Sequence, residues 1–314
     1  MLTIRHILYP TDFSEPAAAA LPLAARIARS HGADLHALHA LVLHAADAVE
    51  ADKLFPRMED AVVELDRWAE SRMAAHLGEH DVGDLVVHEA RERGFSVGAV
   101  ILEYAEEHDI DLIVMGTHGR RGLQHLFMGS IAEDVVRRSS CPVITVRERP
   151  RLGDASWPAR LVAPVDFSEA SHLALAYVRE LAAASGAKVD LVHVIEPVTV
   201  PDPYITGTAG FAFDVETVRS NVQDALEELA ASVLGEAVPC EIHIDVGRPA
   251  AMIAAFAEER GADLVVMASH GRTGLQRALV GSVASGVIRR SSPPVMIVKP
   301  SGRQILPSPT SETT

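Results

Sequence analysis

One long sentence is spoken twice in this chain of 314 residues, and the repetition limits its folds more than any single motif does. Met115-Gly116-Thr117-His118-Gly119-Arg120 is followed, after eight intervening residues, by Gly129-Ser130. It returns as Met267-Ala268-Ser269-His270-Gly271-Arg272, with Gly281-Ser282 at the same distance. Residues 115–146 and 267–298 agree at 18 of 32 positions, which makes duplication the only economical account. A second pair opens each half: Pro10-Thr11-Asp12-Phe13-Ser14 and Pro164-Val165-Asp166-Phe167-Ser168. The chain is therefore two copies of one domain, each of about 150 residues and able to bury its own core.

Within each copy, short apolar runs alternate with stretches of helical period. In the first half, strands are expected at residues 4–9, 33–43, 85–90, 111–115 and 143–146. Helices are expected at 17–28, 56–77, 97–107 and 130–138, with Pro22 bending or breaking the first. The second half repeats the plan, with strands at 161–164, 188–195, 241–246, 263–267 and 295–298. Near-continuous apolar strands separated by helices mean a parallel sheet covered on both faces, an α/β fold. The expected order in each half is 3-2-1-4-5, with each half an autonomous five-stranded sheet and the two last strands at or near the interface. The domain limits read 1–149 and 158–300. Residues 148–158 read as a linker with little for a core, and 301–314 as a disordered tail. A long connection at 196–213 carries Tyr204, Phe211 and Phe213.

Composition narrows the function. With 48% apolar and 23% charged residues the chain is globular, and a net charge of -15 disfavours nucleic acid as a partner. Two cysteines, Cys141 and Cys240, read as small hydrophobes, which suits a reducing, cytoplasmic setting. No basic leader precedes the first strand and no run of 18 apolar residues exists, so neither export nor a membrane span is expected.

Ligands of open parallel sheets bind beyond the carboxyl ends of the strands, where the strand order reverses. Asp12 and Asp166 follow their first strands, and the glycine stretches follow the fourth. If strands one and four are neighbours, each aspartate shares a crevice with a glycine loop. Gly119 and Gly129 let backbone approach a ligand closely, and Ser130 stands at a helix start whose free N–H groups suit phosphate oxygens. Ser130 with Glu133 also spells a capping box that would satisfy those N–H groups internally; Ser282 with Ser285 does not. Arg120 and Arg272 either pair with phosphate or cover the loop. The two aspartates either accept hydrogen bonds from a base or ribose, or receive N–H groups at the helix entry. His118 and His270 match across the repeat without a neighbour that marks a base. His36 and His39 should face opposite sides of a strand, and His76 and His80 read as ordinary surface residues. The lysine of a phosphate-transferring loop is absent.

Taken together, these motifs resemble the universal stress protein family in its tandem two-domain form. Its ATP-binding members carry Gly-x-x-Gly, nine residues, then Gly-Ser or Gly-Thr, matched in full by Gly116, Gly119, Gly129 and Ser130. Pro10-Thr11-Asp12 also matches, the aspartate lying by the adenosine in such members. The resemblance implies an adenine-nucleotide crevice formed by Pro10, Thr11, Asp12, Met115, Gly116, His118, Gly119, Arg120, Gly129 and Ser130 in the first half. In the second half it implies Pro164, Val165, Asp166, Ala268, His270, Gly271, Arg272, Gly281 and Ser282. It further implies ATP with Mg2+ or Mn2+ carried by the phosphates, a regulatory role under stress, and pairing of domains through their last strands, within the chain or as a homodimer. The second half departs at Ala268, where the motif has glycine. The first departs after its third strand, where Phe95-Ser96-Val97 stands against Gly247-Arg248-Pro249.

Overall fold

The computed structural model describes residues 2–42, 58–117, 128–153, 157–196, 215–271 and 280–307. Domain one runs β1 (His6–Pro10), α1 (Glu15–Ala18), α2 (Leu21–His31), β2 (Asp34–Leu41), α3 (Met58–Gly78), β3 (Val87–Arg93), α4 (Val97–Glu107), β4 (Leu112–Gly116), α5 (Ser130–Arg138) and β5 (Val143–Val146). Domain two runs β6 (Arg160–Pro164), α6 (Glu169–Ser185), β7 (Lys188–Ile195), α7 (Val215–Val233), β8 (Cys240–Val246), α8 (Pro249–Glu259), β9 (Leu264–Ala268), α9 (Ser282–Arg290) and β10 (Val295–Val298). Alternation along the strands divides the core into two layers. Ile7, Tyr9, Leu35 and Ala37 pack under α1, α2 and α3, whereas Leu8, Leu38 and Ile113 pack under α4 and α5. Domain two repeats both layers.

Each half has the expected order 3-2-1-4-5, but the two expected sheets are one. The order is β3-β2-β1-β4-β5-β10-β9-β6-β7-β8, ten strands in a single mixed sheet. All neighbours are parallel except at the seam, where β10 runs antiparallel to β5 with Met296 opposite Ile144. The reason is edge chemistry: a last strand with all four residues buried cannot be left with unpaired backbone. Two cations close the seam reciprocally. Lys299 Nζ donates to Ser139 O at 2.7 Å, and Arg147 Nη1 donates to Arg290 O at 2.9 Å. Each reaches the carboxyl end of the other domain's last helix, where the helix dipole favours positive charge.

Three local expectations give way to packing. The linker contributes to the core after all, because Leu152 and Trp157 pack against its apolar cluster. Residues 301–307 are ordered rather than part of a disordered tail. Ile305 is 2% exposed, and Thr3 donates its N–H to Ile305 O at 2.8 Å. His76 is buried, with Nε2 2.9 Å from the Tyr9 hydroxyl, not a surface residue. Pro22 acts as expected, separating α1 from α2 while sitting in the first turn of α2, where its missing N–H leaves no bond unmade. The loop at 196–213, apart from Glu196, lies outside the described residues.

Candidate functional site

β1 pairs with β4, and β6 with β9, so the loops that follow them meet at the point where the strand order reverses. In domain two the meeting is direct. A side-chain carbon on Gly271 would overlap Asp166 Oδ2, so only glycine lets the two repeated motifs approach this closely. The base of each glycine loop is closed by one backbone bond. Gly129 donates to Thr117 O and Gly281 to Ser269 O, both at 2.8 Å. His118, Gly119, Arg120 and Arg272 lie outside the described residues.

The aspartates do hold the helix entry. Asp12 Oδ1 accepts from the Ser14 N–H at 3.0 Å and its hydroxyl at 2.5 Å; Asp166 Oδ1 accepts from Ser168 at 3.1 and 2.6 Å. Ser14 and Ser168 in turn cap α1 and α6. Between aspartate and serine the backbone is strained in both halves, with Phe13 at φ 62° and Phe167 at φ 61°. A bulky residue in that region costs about 1–3 kcal/mol and persists only if held.

Histidines on the second strands do the holding, a role that their strand positions alone do not assign. His39 Nδ1 lies 2.8 Å from Thr11 O and His193 Nδ1 lies 2.7 Å from Val165 O. Phe13 stacks on His39 at 4.5 Å and Phe167 meets His193 at 5.1 Å. The signal was present, since Asp-Phe-Ser and the strand histidine recur in register; what was missing was any reason to connect residues 28 apart.

The expected capping box does not form. α5 begins at Ser130, and its cap residue is Gly129, which supplies no side-chain cap. Gly281 likewise precedes α9 without a side-chain cap. Closing the loop at Thr117 places Gly129 in extended backbone one residue early, so Ser130 joins the helix instead of capping it. Glu133 still lies in the first turn of α5, while α9 has no acidic residue there. The next helices differ too. Ser96 caps α4 by accepting from Ala99 N–H at 3.2 Å, whereas α8 starts at Arg248-Pro249 with no side-chain cap.

Met115 and Gly116 end β4 and are buried, and close packing alone already calls for glycine at 116: a Cβ would stand 2.5 Å from Pro16 O and 3.0 Å from Ala17 Cα. Ala268 carries that carbon in domain two, 8% exposed beneath the unbroken α6. His270 sits at the crevice floor. Its Nδ1 is 2.9 Å from Ser269 Oγ and its buried Nε2 has no hydrogen-bond partner among the described residues. Burial, then the charge of Lys299, holds its pKa below the ordinary imidazole value. Burial also lowers Lys299, to about 8.

These features define a class: paired α/β units of doubly wound type, each with an aspartate after its first strand and a helix start without a side-chain cap beyond its fourth, the aspartate meeting the glycine loop directly in domain two. The family profile described as "Universal stress protein family" matches residues 3–147 and 159–299, and the chain belongs to that family. A universal stress protein of Mycolicibacterium smegmatis is 30% identical over 300 residues, covering 94% of this chain and 97% of its own. The universal stress protein of Archaeoglobus fulgidus superposes with a TM-score of 0.58 at 21% identity, covering 94% of this chain and 98% of that one. Another universal stress protein, solved in complex with cAMP, is 26% identical over 45% of this chain and 95% of its own, with a TM-score of 0.33. Among the described residues no helix is long and apolar enough to cross a membrane.

Proposed function

We propose that this chain is a stress-response regulatory protein that binds an adenine nucleotide, ATP with Mg2+ or Mn2+, in the crevice of one or both domains, limits 1–149 and 158–300. The observation that carries the reading is the contact of Asp166 with Gly271 beside the uncapped start of α9. A nucleotide's polar edge would meet the aspartate, and its phosphates the free N–H groups of Ser282 and its neighbours. With the Ser269 hydroxyl donating to Nδ1, His270 would keep its proton on Nε2 and could donate it to a phosphate oxygen. One oxygen of each aspartate is engaged by serine, so a divalent ion would arrive on the phosphates rather than on a protein cage. Pro10, Thr11, Asp12, Met115, Gly116, Gly129 and Ser130 would serve the first crevice, with Pro164, Val165 and Ala268 completing the second.

Titration calorimetry with ATP and Mg2+ tests this on the full chain. Saturable binding that weakens in Ser282→Asp is the expected result. Gly281→Asp is a poorer probe, because a Cβ at Gly281 would lie 3.2 Å from Ser269 O and disturb the loop itself. No heat of binding in the parent chain would sink the reading and leave a protein-interaction role in its place.

A further inference from the structure

The amino ends of the strands, opposite the crevices, carry a second set of titratable groups that nucleotide binding does not use. Duplication lines up four positions there. His6 matches Arg160 at the start of the first strand, His36 matches Asp190 third in the second, and His88 matches Glu241 second in the third. His108 matches Arg260 as the residue closing the helix before the fourth strand. In domain two these groups satisfy one another. Asp190, its side chain 1% exposed, accepts from Arg160 Nη1 at 2.7 Å and Arg260 Nη2 at 2.9 Å, with His243 Nε2 also at 2.9 Å. Arg260 reaches Glu241 as well. Asp190, Glu241 and His243 bring three metal-ligating atoms within 4.8 Å of one another, but two guanidinium groups already occupy Asp190.

Domain one has His36 at the hub, 5% exposed. The rings of His6, His88 and His108 surround it at 5.5, 4.6 and 5.8 Å between centroids. His36 Nδ1 lies 2.9 Å from the Tyr104 hydroxyl, while His36 Nε2 and His6 Nδ1 are buried without a hydrogen-bond partner among the described residues. His108 stacks on Tyr104 at 3.8 Å. The acids nearby are Asp34, 2.9 Å from His88 Nε2, Glu92, whose charge acts on Tyr104, and Asp111. Asp111 is committed to the N–H groups of Arg5 and His6 and to Arg303. Among the described residues no three of these ring nitrogens come within 4.8 Å of one another, so the rings surround His36 rather than converge on a metal ion.

We propose that the four imidazoles form a proton-operated joint: mild acidification collects charge around His36 and loosens β3 and the end of α4, while the matching end of domain two stays closed. The physical driver is a base cluster with too little acid. Burial, then the charges of His88, His6 and His108, pushes His36 down from 6.5 to about 4, with Asp34 opposing. His36 is thus neutral when folded, whereas the unfolded chain protonates it near 6.5. The stability it contributes is complete above that value and is lost as pH falls towards 4. Asp190 behaves otherwise. Burial raises it, but hydrogen bonds from Arg160 and Arg260 outweigh burial and hold it below 3.8, so its contribution survives the whole window.

Native-state amide exchange on the full chain, corrected for the intrinsic pH dependence, tests the joint. Between about pH 7 and about pH 4.5, protection in β3 and the last turn of α4 should fall by tenfold or more, with β8 and α8 unchanged. His36→Asn, which retains a polar partner for Tyr104, should flatten that response. Should His36→Asn not fold, the pair His88→Gln and His108→Gln, at two exposed positions, should shrink the loss, because without their charges His36 titrates closer to 6.5. Equal loss in both domains, a response that survives in these variants, or a His36 resonance titrating near 6.5 would overturn the proposal.

Discussion

The two domains share a backbone plan and differ at both ends of it. At the amino ends domain two sets fixed charges against one another around Asp190, where domain one sets imidazole rings around His36. At the carboxyl ends domain two offers two helix starts without side-chain caps, where domain one caps one of its two with Ser96 and places Glu133 in the other. Duplication kept the positions and let the chemistry diverge. Domain two has the more anion-ready crevice and the more rigidly paired opposite end; domain one has the complete glycine motif and the titratable end.

The largest expected effect would break the ion network. Asp190→Ala leaves Arg160 and Arg260 facing a buried gap, and should cost about 3 kcal/mol in denaturant unfolding. The partner substitution His36→Ala, which removes one hydrogen bond and some packing, should cost less, about 2 kcal/mol. Equal losses would mean that the hub position matters and its charge does not.

Next comes the glycine that domain two replaced. Gly116→Ala should cost about 1–3 kcal/mol, because the added carbon meets the backbone of Pro16 and Ala17. Ala268→Gly should cost about 1 kcal/mol or less. Thermal melts decide it; a harmless Gly116→Ala would show that α1 can move aside, and would return Gly116 to the ligand side of the argument.

Smaller still are the effects that leave the fold intact. Ser282→Asp adds to α9 the negative first turn that α5 already has, so stability should hold or rise by about 0.5 kcal/mol. ATP affinity in domain two should fall about tenfold, ~1.4 kcal/mol. Ser130→Asp should change less, since Glu133 is already present. The reverse ranking by calorimetry would show domain one to be the better phosphate site. His193→Ala, releasing the strained Phe167, should cost about 1 kcal/mol in melts, and less than His39→Ala, whose ring is buried and stacked more closely. Loss of ATP affinity without loss of stability in either variant would mark these rings as ligand contacts rather than supports.

Much of this was legible before any coordinates. Local periodicity and the duplicated motifs were enough for ten strands and for placing Asp12, Asp166 and the glycine stretches after strand ends. The order within each half was an expectation from doubly wound sheets in general, which the pairing of β1 with β4 and β6 with β9 bears out. These are short-range properties: side-chain alternation and turn chemistry act over a few residues, and a repeat reports them twice. The tertiary structure decided what depends on residues far apart. It joined the sheets through β5 and β10, because two buried last strands each needed a partner. It made Gly129 rather than Ser130 the cap, because the loop closes on Thr117. It brought His39 to Thr11, and gathered His6, His36, His88 and His108 from three strands and a helix end. Contacts of that kind are set by register between strands, which no run of residues spells out on its own.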